Sequence, residues 1–212
     1  MSTAVAAQKG DPCLIGRRIY LRPPRESDRE AFLALNRASI HFHRGLVPAP
    51  LKAAEFSAYL ERSQQCSHCC FLICRKADEA LLGAINLGHI IRGNFQSAFV
   101  GYYVGAPFAR QGYMADAMQL MLRYAFKTLK LHRLEANIQR RNTASIALAR
   151  QAGFRREGLS PRYLKIFGRW RDHERWALRA EDWRRWPRRA DSRIVQNCRS
   201  RRKEAHFLKG GL

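Results

Sequence analysis

The stretch Val100 to Ala117, VGYYVGAPFARQGYMADA, holds the residues with the clearest chemical purpose. A strand pattern ends at Val104, a loop carries Pro107, Arg110, Gln111 and Gly112, and a helix pattern begins at once. Backbone N–H groups in a helix's first turn lack intrahelical partners, and the helix dipole favours negative charge there. An anion such as a pyrophosphate would therefore be held well. Arg110 adds a positive charge, and Gly112 lets the backbone approach a ligand closely. A strand–loop–helix with one glycine is a common arrangement, and phosphate binding is only one of its uses.

The run Cys66-Ser-His-Cys-Cys-Phe-Leu-Ile-Cys74 has metal-ligating residue types in an untidy spacing. Zinc needs two well-spaced ligand pairs. From Cys69 onward Cys69/Phe71/Ile73 alternate against Cys70/Leu72/Cys74, the pattern of a buried strand in which free Cys acts as a small hydrophobe. No metal is expected, and unpaired thiols suit a reducing cytoplasm. Asp172 and His173 follow Trp170 in a closing hairpin. A catalytic His and a turn-fixing Asp–His pair both remain open, the second being the simpler.

The elements that position these residues follow from periodicity. Arg18 to Arg22 alternates as a first strand, and Ser27 can cap a helix with Phe32, Leu33 and Leu35 in helical spacing. A loop spans His41 to Pro50, and Phe56, Tyr59 and Leu60 mark a helix over Ala53 to Ser63. Strands are predicted over 69–75, 81–91 and 97–104, with a turn at Arg92-Gly93-Asn94. Met114, Ala117, Met118, Met121 and Ala125 trace one face of a long helix. Leu131 to Ile138 reads as a strand, Thr143 to Gln151 as a helix ended by Gly153, and 163–167 with 173–179 as a hairpin turning near Gly168. The expected class is α/β (α+β), a mixed, mostly antiparallel sheet of six to seven strands with helices on both faces. Residues 1–15 read as a flexible lead-in, 16–183 as one domain and 184–212 as a basic, disordered tail.

Among 212 residues, 39 Lys and Arg face 17 Asp and Glu, a net charge of +22. The segment 184–212 carries +8 of this and residues 1–183 the remaining +14. Such a surface favours polyanionic partners, although 31 of the 39 bases are Arg, which a GC-rich genome supplies without selection. The tail from Trp183 to Arg189 interleaves Arg with Trp and suits RNA contact, or else is simply solvated. No apolar run is long enough to span a membrane and no secretory signal is evident, so a cytoplasmic protein with no membrane partner is expected.

Four stretches together resemble the Gcn5-related N-acetyltransferases (GNAT). Ala109 to Met114 is similar to the family's Q/R-x-x-G-x-G/A loop, departing at Ala109 and Met114. Asn142 to Gly158 is similar to the family's stretch of Asn, Ser, Leu, Gly-Phe and Glu-Gly, here Asn142, Ser145, Leu148, Gly153, Phe154, Glu157 and Gly158. Tyr163 to His173, with Ile91 to Phe95, resembles the RimJ type that acetylates ribosomal-protein alanine. The resemblance covers about residues 17–183 and implies a GNAT fold with acetyl-CoA as co-substrate. It implies cofactor contacts from Tyr102, Val104, Arg110, Gln111, Gly112, Tyr113, Met114 and Ala115, with Asn142 on the pantetheine arm. Backbone N–H groups near Val104 would polarise the thioester carbonyl.

Catalytic roles stay open on the residues themselves. Glu135 sits mid-strand where related enzymes place a base, yet a structural carboxylate is the plainer role; Glu157 is weaker. Ser145 matches a family residue that holds the sulfur, or caps its helix. Tyr163 is a candidate acid or a packed strand residue, and the usual family Tyr is replaced by Ala149. The loop His41 to Leu46 lies where the fold builds its acceptor wall. The function implied is acetyl transfer to the N-terminal alanine of a ribosomal protein, with that N-terminus or the ribosome as partner. A small-amine acetyltransferase and a decayed ribosome- or RNA-binding factor are the alternatives, and the oligomeric state is not set.

Overall fold

The computed structural model describes residues 13–46 and 49–185 fully, together with the backbone of 192–195. One mixed sheet forms its centre, in the order β7-β8-β6-β5-β4-β3-β2-β1-β9. The strands are β1 (Cys13–Gly16), β2 (Ile19–Arg22), β3 (Cys69–Arg75), β4 (Leu81–Ile91), β5 (Ser97–Val104), β6 (Arg133–Gln139), β7 (Arg155–Ile166), β8 (Arg169–Arg179) and β9 (Ser192–Val195). The helices are α1 (Arg29–Ala38), α2 (Ala53–Ser63), α3 (Tyr113–Arg123), α4 (Thr143–Gln151) and α5 (Ala180–Arg185). Every pairing is antiparallel except β5 with β6.

Alternation along β3 distributes its side chains between two cores. Cys70, Leu72 and Cys74 meet Phe32, Leu33, Phe56 and Tyr59 of α1 and α2. Phe71 and Ile73 point the other way, into the larger core built with α3 and α4. The cysteines are thus free thiols in a buried strand. Burial pushes the Cys70 thiol up to about 11, which keeps it protonated and unreactive. The α3 face runs as predicted through Ala117, Met118 and Met121, then continues as a π-helical turn over Tyr124–Thr128. At the end of α4, Gly153 takes a φ of 92° and the Phe154 N–H reaches the Ala149 carbonyl at 3.0 Å, the left-handed cap expected of glycine there.

Four expectations are corrected. The lead-in is not without structure from Cys13: β1 pairs with β2, and Leu14 is fully buried. Cys13, Leu14 and Ile15 are apolar in succession, with no alternation to mark a strand. With β9, which pairs along β1 inside the segment read as a disordered tail, the sheet reaches nine strands rather than six or seven. The first helix is entered through a 3-10 turn at Glu26–Asp28 rather than capped by Ser27. Asp28 instead accepts from Arg25 N–H at 2.7 Å and forms a two-pronged pair with Arg22 at 2.6 and 2.7 Å. Trp183, read as part of a base-stacking tail, is a core residue packed 5.4 Å from the Phe126 ring. The remaining tail residues, on which the RNA reading rests, lie outside the described residues, apart from Arg184 and Arg185 of α5 and the backbone of β9.

No helix among the described residues is long and apolar enough to cross a membrane.

Candidate active site

The site begins where two parallel strands part. β5 and β6 pair only at Ser97↔Arg133, Ala98↔Leu134 and Phe99↔Glu135. Beyond that rung their facing edges diverge, leaving backbone groups without each other. A cavity of about 730 Å³ opens there, with Val100, Gly101, Tyr102 and Tyr103 on one wall and Ala136 to Gln139 on the other. Close approach on the far side of β5 holds its end in place. A Cβ on Gly83 would lie 2.2 Å from the Tyr103 carbonyl oxygen, so only glycine lets β4 run this near.

The loop read as an anion cradle follows the end of β5. A 3-10 turn at Ala106–Phe108 leads into Arg110 and Gly112, both at positive φ (60° and 80°), and α3 starts at Tyr113. The first helical bond runs from Asp116 N–H to the Gly112 carbonyl. The N–H groups of Gly112, Tyr113, Met114 and Ala115 are therefore free of helical partners. Gln111 spends its side-chain amide on the Pro107 carbonyl at 2.9 Å, and so braces the loop.

A residue that the motif did not reveal braces the same loop. Arg18, between β1 and β2, bonds Asp116 through Nε at 2.8 Å and the Gln111 carbonyl through Nη1 at 3.1 Å, and lies 4.9 Å above the Tyr113 ring. Asp116 in the first turn would repel a phosphate, and Arg18 neutralises it. No local signal marks Arg18, which is distant in sequence.

Asn142 caps α4 by accepting the Ser145 N–H at 3.1 Å, so the capping role considered for Ser145 belongs to Asn142. Both line the cavity. Tyr102 spans from β5 to the Ser145 carbonyl at 3.3 Å, and burial pushes its phenol up to about 12. Tyr59 of α2 donates to Asn86 Oδ1 at 2.9 Å on the cavity floor. Asn137 Oδ1 is buried without a hydrogen-bond partner among the described residues, and its residue lines the same cavity.

Glu135 and Tyr163 are not among the lining residues. Glu135 sits at the last rung before the split, 7% exposed, held by Arg133 at 2.7 Å and Arg175 at 3.4 Å. Arg133 also grips Glu157 and holds that carboxyl below its ordinary range. Tyr163 packs its ring 6.0 Å from His173. Asp172 and His173 do not pair: Asp172 accepts the Arg162 N–H at 2.9 Å across the hairpin. His173 is 3% exposed, lines the cavity, and sets Nδ1 2.9 Å from the Arg171 carbonyl. A carbonyl only accepts, so Nδ1 carries a proton, and in the neutral ring Nε2 is the nitrogen with the lone pair.

Of the loop His41–Leu46, read as the acceptor wall, Leu46 lines this cavity. Gln139 Nε2 donates to the Gly45 and Leu46 carbonyls at 3.1 and 3.2 Å, and Arg141 also reaches Gly45. Among the described residues Glu55 is the one carboxylate lining the cavity. It accepts the N–H groups of Leu51 and Lys52 at 2.6 and 3.2 Å, which lower its pKa.

The acetyltransferase (GNAT) domain family matches residues 18–155. The chain is 34% identical over 171 residues to the Bacillus subtilis (strain 168) protein named Probable N-acetyltransferase YjcK, covering 76% of this chain and 93% of that one. It is 35% identical over 106 residues to the ribosomal protein uS5-alanine N-acetyltransferase of Escherichia coli (strain K12). That match covers 50% of this chain and 55% of the relative, so it spans about half of that relative's length. The solved structure of Mycobacterium smegmatis RimJ in complex with CoA-disulfide superposes with a TM-score of 0.74 at 27% identity, over 82% of this chain and 90% of that one.

Proposed function

Because the chain belongs to the GNAT acetyltransferase family, and so is an acetyl-CoA-dependent transferase, we propose that its acceptor is a protein α-amine, the N-terminal alanine of a ribosomal protein. The observation that carries this reading is how little negative charge lines the cavity: among the described residues Glu55 is its one carboxylate, and Arg62 lines it too. A polyamine acceptor, with several cationic nitrogens, would need more negative charge there. An α-amine, with an ordinary pKa of about 7.7–8.0, enters in its neutral form without it. The relative acting on uS5 alanine supports the same acceptor class, as does the excess of positive charge for a ribosomal address.

The residues fit acetyl-CoA. Free N–H groups of Gly112 to Ala115 and the Arg110 side chain suit the pyrophosphate, while the open β5 edge, Asn142 and Asn137 Oδ1 suit the amide-bearing arm. When bound, the co-substrate supplies an acyl thioester. Backbone N–H near Val104 would polarise its carbonyl oxygen. The acceptor nitrogen bonds to the carbonyl carbon, the carbon–sulfur bond breaks, and the sulfur leaves as thiolate near Ser145 and Tyr102. His173 Nε2 takes the proton that the nitrogen loses. Tyr59 with Asn86 orients the acceptor.

The test is acetyl transfer from labelled acetyl-CoA to Ala-starting peptides and to ribosomal subunits. Label on a peptide α-amine is expected. His173→Gln should lower kcat about 100-fold with acetyl-CoA binding retained. Loss of rate in Glu135→Gln but not in His173→Gln would move the base to Glu135. Acetylation of small amines alone would overturn the acceptor assignment.

A further inference from the structure

A second cavity, of about 390 Å³, lies beside the first and shares Ala49, Leu51 and Phe167 with it. Its walls are the end of α1 with the following loop and the start of β8. Three arginines converge on it: Arg44 from the loop, and Arg169 and Arg171 from alternate positions of β8. None of its lining residues is acidic. Elsewhere Arg18, Arg22, Arg75, Arg133, Arg156 and Arg179 each have a carboxylate, but these three take part in no ion pair among the described residues. Three polar atoms of its lining residues are buried without a hydrogen-bond partner among the described residues, Arg171 Nε, His43 Nε2 and Asn36 Oδ1. Leaving such atoms unsatisfied is costly, and an anionic ligand would recover that cost at Arg171.

We infer that this cavity is an acceptor subsite for an acidic side chain, placed in the first few residues after the acetylated α-amine. The inference rests on the α-amine reading, since the shared walls make the occupant of one cavity the continuation of the other's. Guanidinium groups bind carboxylates through paired N–H donors, and Arg169 and Arg171 on one face of one strand present such forks from a rigid element. Phe167, 62% exposed on the shared rim, offers the intervening residue an apolar contact.

The experiment compares fluorescent Ala-starting peptides that carry Glu or Gln at positions two to five. Their binding to the CoA-loaded full chain and their acetylation rates are both measured. At one of these positions Glu should bind about tenfold tighter than Gln and lower KM more than it changes kcat. Arg169→Gln with Arg171→Gln, and separately Arg44→Gln on the opposite wall, should bring the Glu-to-Gln ratio close to one. Equal binding of both peptides, or a preference that survives these substitutions, overturns the subsite. If the peptides are acetylated alike, the subsite fails and the α-amine reading stands. Arginine-dependent binding without acetylation keeps the subsite and removes that reading. Displacement of the acidic peptide by a single-stranded RNA, with the same arginine dependence, would reassign the cavity to a phosphate.

Discussion

The hydroxyl of Tyr102 on β5 donates to the main-chain carbonyl of Ser145 in the first turn of α4, at 3.3 Å. This bond ties the open edge of β5 to the helix that follows β6, across the divide where the two strands part. With its pKa raised to about 12 by burial, the phenol stays neutral and remains a donor at any working pH. Tyr102→Phe is expected to lower kcat about fivefold and leave acetyl-CoA affinity within twofold. Single-turnover kinetics beside calorimetric titration separates the two; a change confined to affinity would make Tyr102 a binding contact only.

Gly112 at φ 80° is the hinge of the anion cradle, and a Cβ there would meet Arg18 Nη2 at 3.1 Å. Left-handed backbone costs an L-residue about 1–2 kcal/mol. Gly112→Ala should therefore weaken acetyl-CoA binding about tenfold and lower the melting temperature. Arg18→Ala should weaken binding as well, because Asp116 would then face the phosphates uncompensated. Titration calorimetry with CoA measures both, and undiminished affinity in either variant would count against the cradle.

The Arg22–Asp28 pair joins β2 to the entry of α1, with side chains only 18% and 12% exposed. Asp28→Asn removes the charge that Arg22 needs and should cost on the order of 3 kcal/mol in urea unfolding. Replacing both residues with Leu should cost less than that single change, since no buried charge is then left alone. Additive losses would mean that the two groups do not act as a pair.

Burial lowers the pKa of His43 from 6.5. The unfolded chain therefore binds this proton more readily than the folded one. Stability should fall as pH drops below about 6.5, and level off once pH is below the folded value. His43→Gln should flatten that part of the curve. His68, lowered by burial and by its neighbour His89, leaves a residual slope of the same sign. Melting temperatures between pH 8 and 5 for the two proteins give the comparison; identical slopes would assign the effect elsewhere.

Periodicity and local turn chemistry determined most elements of this protein. Alternation in 69–75 set a strand with two apolar faces, the spacing of Met114, Ala117, Met118 and Met121 set the buried face of α3, and Gly112 marked the turn into that helix. These features act within one turn or a few residues, so the local pattern carries them. What lies across a gap is not written locally. Glu135 as a base and His173 as a catalytic His were both open by residue type, and strand pairing gives them different surroundings. The strand pairing that sets Glu135 beside Ala177 clamps it between Arg133 and Arg175, whereas Gln139↔His173 brings the imidazole to the cavity. Arg18 at the cradle and Arg44 opposite Arg171 are joined to their partners only by the way the sheet stacks its strands. Side-chain identity states what chemistry is available, and the three-dimensional register decides which groups are free to perform it.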